Sequence, residues 1–105
     1  MYFNEQIYSS PDVEESAVVK SAPGKVYSAI CHNTGADAYF QVWDGDPASG
    51  GLLRTIVLVP AAATGSVDFG SRGAPFHTNI RLALSTTPTT FTGATALAWF
   101  TAIYS

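Results

Sequence analysis

Residues 24–60 read GKVYSAICHNTGADAYFQVWDGDPASGGLLRTIVLVP, three apolar runs separated by two turn-rich gaps. In the first run Val26, Ser28, Ile30 and His32 alternate with Tyr27, Ala29, Cys31 and Asn33. A period of two places successive side chains on opposite faces of a strand. Both sets contain apolar groups, which predicts a strand covered on both sides, or covered on one side and held at an interface on the other. Asn33-Thr34-Gly35 carries hairpin chemistry and predicts that the chain folds back there. In the second run Ala38, Phe40 and Val42 alternate with Tyr39, Gln41 and Trp43. Asp44-Gly45-Asp46-Pro47 and Ser49-Gly50-Gly51 predict a long turn. The third run, residues 52–59, is strongly apolar and stops at Pro60, which has no N–H for a ladder.

The same reading extends in both directions. Residues 61–64 fit one helical turn, too short to stand alone as a helix. Residues 66–69 read as a short strand and residues 70–75 as a loop, after which Phe76 is expected to re-enter the core. Ile80, Leu82 and Leu84 alternate with Arg81, Ala83 and Ser85, giving a strand with one buried face. A tight connection around Pro88 follows. The last strand spans residues 94–104, with Leu97, Trp99, Thr101 and Ile103 on one face and Ala94, Ala96, Ala98, Phe100 and Ala102 on the other. Upstream, residues 17–21 form a short strand before the Pro23-Gly24 turn. Residues 1–16 read as an arm in which Tyr2, Phe3, Ile7 and Tyr8 are large and apolar, followed by Pro11 and the acidic Asp12, Glu14 and Glu15. One reading makes the arm an edge strand and a solvated loop. The other sends it onto a neighbouring subunit, with Tyr2, Phe3, Ile7 and Tyr8 as contact residues. Seven or eight strands with no helix longer than a turn predict an all-β fold: an antiparallel, jelly-roll-like β-sandwich over residues 17–105, with an extended N-terminal arm over residues 1–16.

Composition narrows the function. The chain has 105 residues, the size of one domain. Charged residues make up 12%, against a usual ~25%, while 47% of residues are hydrophobic, so the low charge does not signal disorder. Thr, Ser, Asn and Gln supply the polar surface. Such a surface suits a protein that lies against neighbours, where every charge would have to be desolvated. A neutral soluble β domain has the same composition. The net charge is −3, and the basic residues Lys20, Lys25, Arg54, Arg72 and Arg81 stand singly, so no phosphate-binding surface and no nucleic-acid partner are expected. No apolar run approaches the ~18 residues of a membrane span. The start, MYFNEQIYSSPDVEE, lacks the basic and apolar regions of a Sec signal. Cys31 is the single cysteine, which excludes an intrachain disulfide and suits folding in a reducing cytosol.

The residues with chemical potential are few. Zinc requires three or four ligands, and His32, His77 and Cys31 show no ligand spacing. A triad of Cys31, His77 and Asp68 can be assembled on paper, but no G-x-S-x-G elbow accompanies it, and Cys31 reads as a small buried hydrophobe. Asp44, Asp46 and the nearby Asp37 form the one carboxylate cluster; it lacks the EF-hand pattern, and Asp is an ordinary turn former. Trp43 and Trp99, with Tyr27, Tyr39 and Tyr104, fit either core packing or sugar stacking. Catalytic residues, cofactor and metal are therefore expected to be absent.

The segments GKVYSAICHNTGADAYFQVWDGDPASGG and LVPAAATGSVDFGSRGAPFHTNIRLALSTTPTTFTG resemble a group of small tailed-bacteriophage virion proteins. The positions that carry the resemblance are Gly24, Asn33, Gly35, residues 39–44, Pro47, Gly50, Val59-Pro60, Asp68-Phe69-Gly70, Phe76 and Ser85-Thr86-Thr87. It covers roughly residues 18–95; Thr78-Asn79 departs from the glycine of the pattern, and the arm lies outside it. The resemblance implies a non-enzymatic virion structural protein with a β-sandwich fold, in the first place a capsid cement or decoration protein. Its expected partners are the major capsid protein and further copies of itself, with a homotrimer implied. Its place is then the virion, after assembly in the host cytoplasm. A tail, neck or fibre position is the alternative within the virion, and a lectin-like carbohydrate-binding module the alternative outside it.

Overall fold

A computed structural model describes residues 5–93 and 98–105. These residues form two antiparallel sheets packed face to face, an all-β sandwich. The strands are β1 (Gln6–Ser9), β2 (Ser16–Lys20), β3 (Gly24–Asn33), β4 (Ala38–Asp44), β5 (Leu52–Val59), β6 (Thr64–Asp68), β7 (Ala74–Phe76), β8 (Ile80–Ser85) and β9 (Ala98–Tyr104). The first sheet has the order β1-β9-β3-β6, with β7 also on β3; the second has the order β2-β8-β4-β5. β6 pairs with residues 28–32 of β3 and β7 with residues 24–26, so the two behave as one edge interrupted by the loop that holds Gly70 and Gly73 at φ 86° and 74°.

Inward-facing apolar residues of both sheets make the core. Phe40, Val42, Val59, Ile80, Leu82 and Leu84 of the second sheet meet Val26, Ala29, Cys31, Phe76 and Phe100 of the first. The Phe40 and Phe100 rings lie 6.0 Å apart, centroid to centroid. On β9 the small–large face, Ala98, Phe100 and Ala102, is the buried one, because methyl groups beside a phenyl ring let the opposing sheet approach. At Gly65 on β6 a Cβ would run into Cγ2 of Val59; the missing side chain allows the edges of the two sheets to close.

The bounds of β4, β5 and β8 follow the sequence pattern closely, and three other expectations are refined. Asn33-Thr34-Gly35 does not close a hairpin: β3 and β4 belong to different sheets, so the turn is an arch across the sandwich. The buried Asn33 amide sets it, donating to Ala36 O at 2.7 Å and lying within reach of Val59 O and Pro60 O, while its Oδ1 accepts from Gly35 N at 3.0 Å. Residues 61–63 form a turn, with Ala62 at φ 55° and Ala63 N donating to Pro60 O. Residues 94–97 of the expected last strand lie outside the described residues.

The arm is laced into the sandwich. β1 pairs with β9 from Gln6↔Tyr104 to Ser9↔Thr101. Glu14 then bridges Ala98, and Glu15 O accepts from Leu84 N of the second sheet. Residues 6–15 therefore bind one edge of both sheets.

Candidate functional site

Ile7 is 71% exposed on the outer face of β1, and Tyr8 turns the other way. The Tyr8 ring packs against the core and its hydroxyl donates to Glu14 Oε2 at 3.1 Å; burial, with the Glu14 charge beside it, raises its pKa. Tyr2 and Phe3 lie outside the described residues. Of the two expected contact residues that are described, Ile7 is exposed and Tyr8 is turned into the sandwich.

Ile7 has company on that face. Its Cα partner is Ile103 on β9, followed outward by Thr101 and Trp99; across β9 lie Ser28, Ile30 and His32 of β3, then Asp68, Ser66 and Thr64 of β6. Ile30 and Trp99 are each 42% exposed. Side chains on one face of neighbouring strands stand ~5–8 Å apart, so Ile7, Ile103, Ile30 and Trp99 form an oblique apolar band among hydroxyls. The ionisable groups at these positions are His32 and Asp68, both toward the β6 side. His32 Nδ1 is hydrogen-bonded to Thr64 Oγ1 at 2.9 Å, and Asp68 Oδ1 accepts from Gly70 N. The first strand of the sequence pattern is therefore buried on one side and left open on the other.

The outer face of the second sheet is different, because a loop covers it. Gln41 points outward between core residues Phe40 and Val42, yet is fully buried. Its Nε2 donates to Thr87 O, Pro88 O and Thr90 O at 2.9, 3.0 and 2.9 Å, and its Oε1 accepts from Trp43 Nε1 at 2.9 Å. Ser85 Oγ donates to Thr90 O and accepts from the backbone N–H groups of Thr87 and Thr92. These bonds fold residues 86–92 back over the sheet and bring Phe91 above Trp43. Between them lies a pocket of about 120 Å³, lined by Trp43, Phe91, Pro47 and Ala83 with Arg81 and Asp46. The Arg81 guanidinium stands 3.8 Å from the Asp46 carboxylate, and its Nε is buried with no hydrogen-bond partner among the described residues.

The carboxylates of the 37–46 cluster hold backbone. Asp44 Oδ2 accepts from His77 N and Oδ1 from Thr78 N, each at 2.8 Å, and Asn79 N lies 3.4 Å from Oδ1. Burial works to raise the Asp44 pKa, but these donors outweigh it and hold the carboxyl below its ordinary value. Arg54 lies 3.9 Å from Asp44, donates to Pro75 O at 2.7 Å and stacks over Phe76. Asn79 Oδ1 accepts from Gly45 N at 3.0 Å. Asp37 caps Ala61 N, and Asp46 caps Ala48 N at the start of a 3-10 turn, Pro47–Ser49. Among the described residues no group of three His, Cys, Asp or Glu side chains is placed to hold a metal ion.

The paper triad does not assemble. Cys31 faces the core, and burial pushes its thiol up to about 12. It pairs with Gly65, whereas Asp68 lies on the outer face of the same sheet and His77 follows β7. Of the tryptophans, Trp43 is almost wholly covered and Trp99 is open. Sequence reasoning missed Gln41, Arg81 and Phe91. The available signal was Ser85-Thr86-Thr87 with Pro88, an uncharged polar stretch rich in backbone-bonding side chains, but nothing local tied it to Gln41.

No protein-family model matches the chain, and no curated protein matches it. A solved structure described as the crystal structure of PirA is similar to 100% of this chain over 96% of its own, at 17% identity and a TM-score of 0.49.

Proposed function

We propose that this chain is a non-enzymatic structural protein of a tailed-bacteriophage virion, a capsid cement or decoration protein that binds the head surface as a homo-oligomer, with a trimer as the expected form. The observation that carries this reading is the outer face of the first sheet: an apolar band of Ile7, Ile30, Trp99 and Ile103 set among Ser and Thr, with its ionisable groups at one side. A protein repeated over a symmetric shell gains avidity from many weak contacts, and an apolar band whose ionisable neighbours, His32 and Asp68, stand toward one side leaves few charges to desolvate. The strand order β1-β9-β3-β6 against β2-β8-β4-β5 supports the jelly-roll form of the sandwich: with β6 and β7 taken as one interrupted strand, every connection except the β4–β5 hairpin crosses from one sheet to the other. Catalysis and cofactors have no part in this reading, and the partners are the major capsid protein and further copies of the chain.

The test is quantitative peptide counting in virions of the source phage, combined with binding of the purified protein and its Ile30→Glu and Trp99→Glu variants to virions lacking it. A count comparable to the major capsid protein, with both variants folded and binding at least tenfold weaker, is expected. A count of a few dozen or fewer moves the chain to a tail, neck or fibre position. Absence from virions, or unchanged binding by both variants, refutes the reading.

A further inference from the structure

We propose that the pocket between residues 86–92 and the outer face of the second sheet binds one neutral sugar ring, a terminal pyranose. This inference stands on that pocket alone and does not depend on the virion reading. Its walls supply both halves of pyranose chemistry. Trp43, Phe91, Pro47 and Ala83 give an apolar, partly aromatic surface for the C–H face of a ring. Arg81 and Asp46 give a donor-only group and an acceptor-only group 3.8 Å apart.

That pairing selects the ligand. A carboxylate or phosphate would be drawn to Arg81 but repelled by Asp46, and an ammonium group would meet the reverse. A purely apolar guest would strip water from both charges without replacing their hydrogen bonds. A hydroxyl both donates and accepts, so a vicinal diol satisfies the two side chains at once.

Arg81 also has donors to give. Arg54, by contrast, is committed to Pro75 O, the Phe76 ring and Asp44. Among the described residues the opposite charge beside Arg81, Asp46, stands 3.8 Å from its Nη2, beyond hydrogen-bond length, and the guanidinium end, rather than the buried Nε, is the part open to a ligand. The site is built in advance, since Gln41 and Ser85 fix the loop that carries Phe91. A volume of about 120 Å³ falls below the ~300–1,000 Å³ of sites for drug-sized ligands and suits one ring, with any further residues of a glycan outside. Asp46 is the one carboxylate in the pocket's lining, its Oδ1 caps Ala48 N and Arg81 stands beside it, a donor set that suits a hydroxyl and not a metal ion.

The probes are methyl glycosides of glucose, galactose, mannose, fucose, N-acetylglucosamine and N-acetylgalactosamine. Binding is read by saturation-transfer NMR and by Trp43 fluorescence in a Trp99→Phe background. At least one glycoside is expected to bind with a millimolar dissociation constant, as one small ring allows, and chelator should leave it unchanged. Arg81→Gln and Asp46→Asn should each weaken it at least tenfold. Phe91→Ala, on the loop surface, should do the same and serves where either charge variant fails to fold. Silence across all six glycosides overturns the proposal, as does binding that survives the folded variants within twofold or is lost with chelator.

Discussion

Replacing Gln41 with leucine should cost the protein about 3 kcal/mol. The side chain is fully buried and holds three loop carbonyls and the Trp43 indole N–H. Its two amide hydrogens are shared among the three carbonyls, so the count is two donated bonds and one accepted bond. At ~0.5–1.5 kcal/mol net per bond the loss is roughly 1.5–4.5 kcal/mol. The leucine has similar volume, so the change isolates the polar contribution. Trp43 Nε1 stays buried and unpaired unless the loop lifts to admit water, and either outcome releases residues 86–92. Urea unfolding should show a lower midpoint with little change in slope, and the melting temperature should fall by roughly 10–20 °C. Hydrogen exchange at the Thr86 and Thr92 amides, which bond Thr92 O and Ser85 Oγ, should accelerate. Gln41→Glu supplies a control of opposite sign. An ionised carboxylate facing carbonyl oxygens is disfavoured, so its folded pKa is raised, and the deficit should shrink as pH falls and the group protonates. A loss below about 0.5 kcal/mol for Gln41→Leu, with loop protection intact, would refute the idea that this amide holds the loop.

Asp44→Asn should cost about 2 kcal/mol at neutral pH, the scale of charge-assisted bonds to the backbone at 77–78. Because the folded pKa of Asp44 is depressed, its stabilisation is present above the unfolded value near 3.9 and is lost as pH falls through the folded value; a wild-type-minus-variant stability difference that stays constant as pH is lowered from neutral through the acid range would contradict this. Cys31, with its thiol pushed up to about 12 by burial in the core, should resist a disulfide reagent at pH 8 in the folded protein and react fully in denaturant. Rapid labelling of the native state would show that the core is open there.

Much of this protein is legible from local chemistry. Period-two alternation and turn residues placed β4, β5 and β8 almost to the residue, because strand periodicity and the φ demands of Gly and Pro act over a few positions. The open face of the first sheet was half visible, as apolar residues on both sides of β3. What alternation cannot tell is which object covers a face. Trp43 and Trp99 both sit on alternating strands, yet one is 5% exposed and the other 42%. The difference comes from residues 86–92, more than forty positions beyond Trp43 in the chain, pinned by a glutamine whose pattern position alone points to solvent. The pairing of strands was hidden for the same reason: Asn33 carries hairpin chemistry and bonds Ala36 locally, but its amide also reaches Val59 O and Pro60 O, and its backbone N–H donates to Ala63 O, in a later segment that the sequence pattern does not tie to it. Sequence by itself determined most of the strands and, on β8, the buried side; only the tertiary structure decided which strands meet, which outer face stays open and where a pocket forms, because those depend on hydrogen bonds between residues that are neighbours only in the folded state.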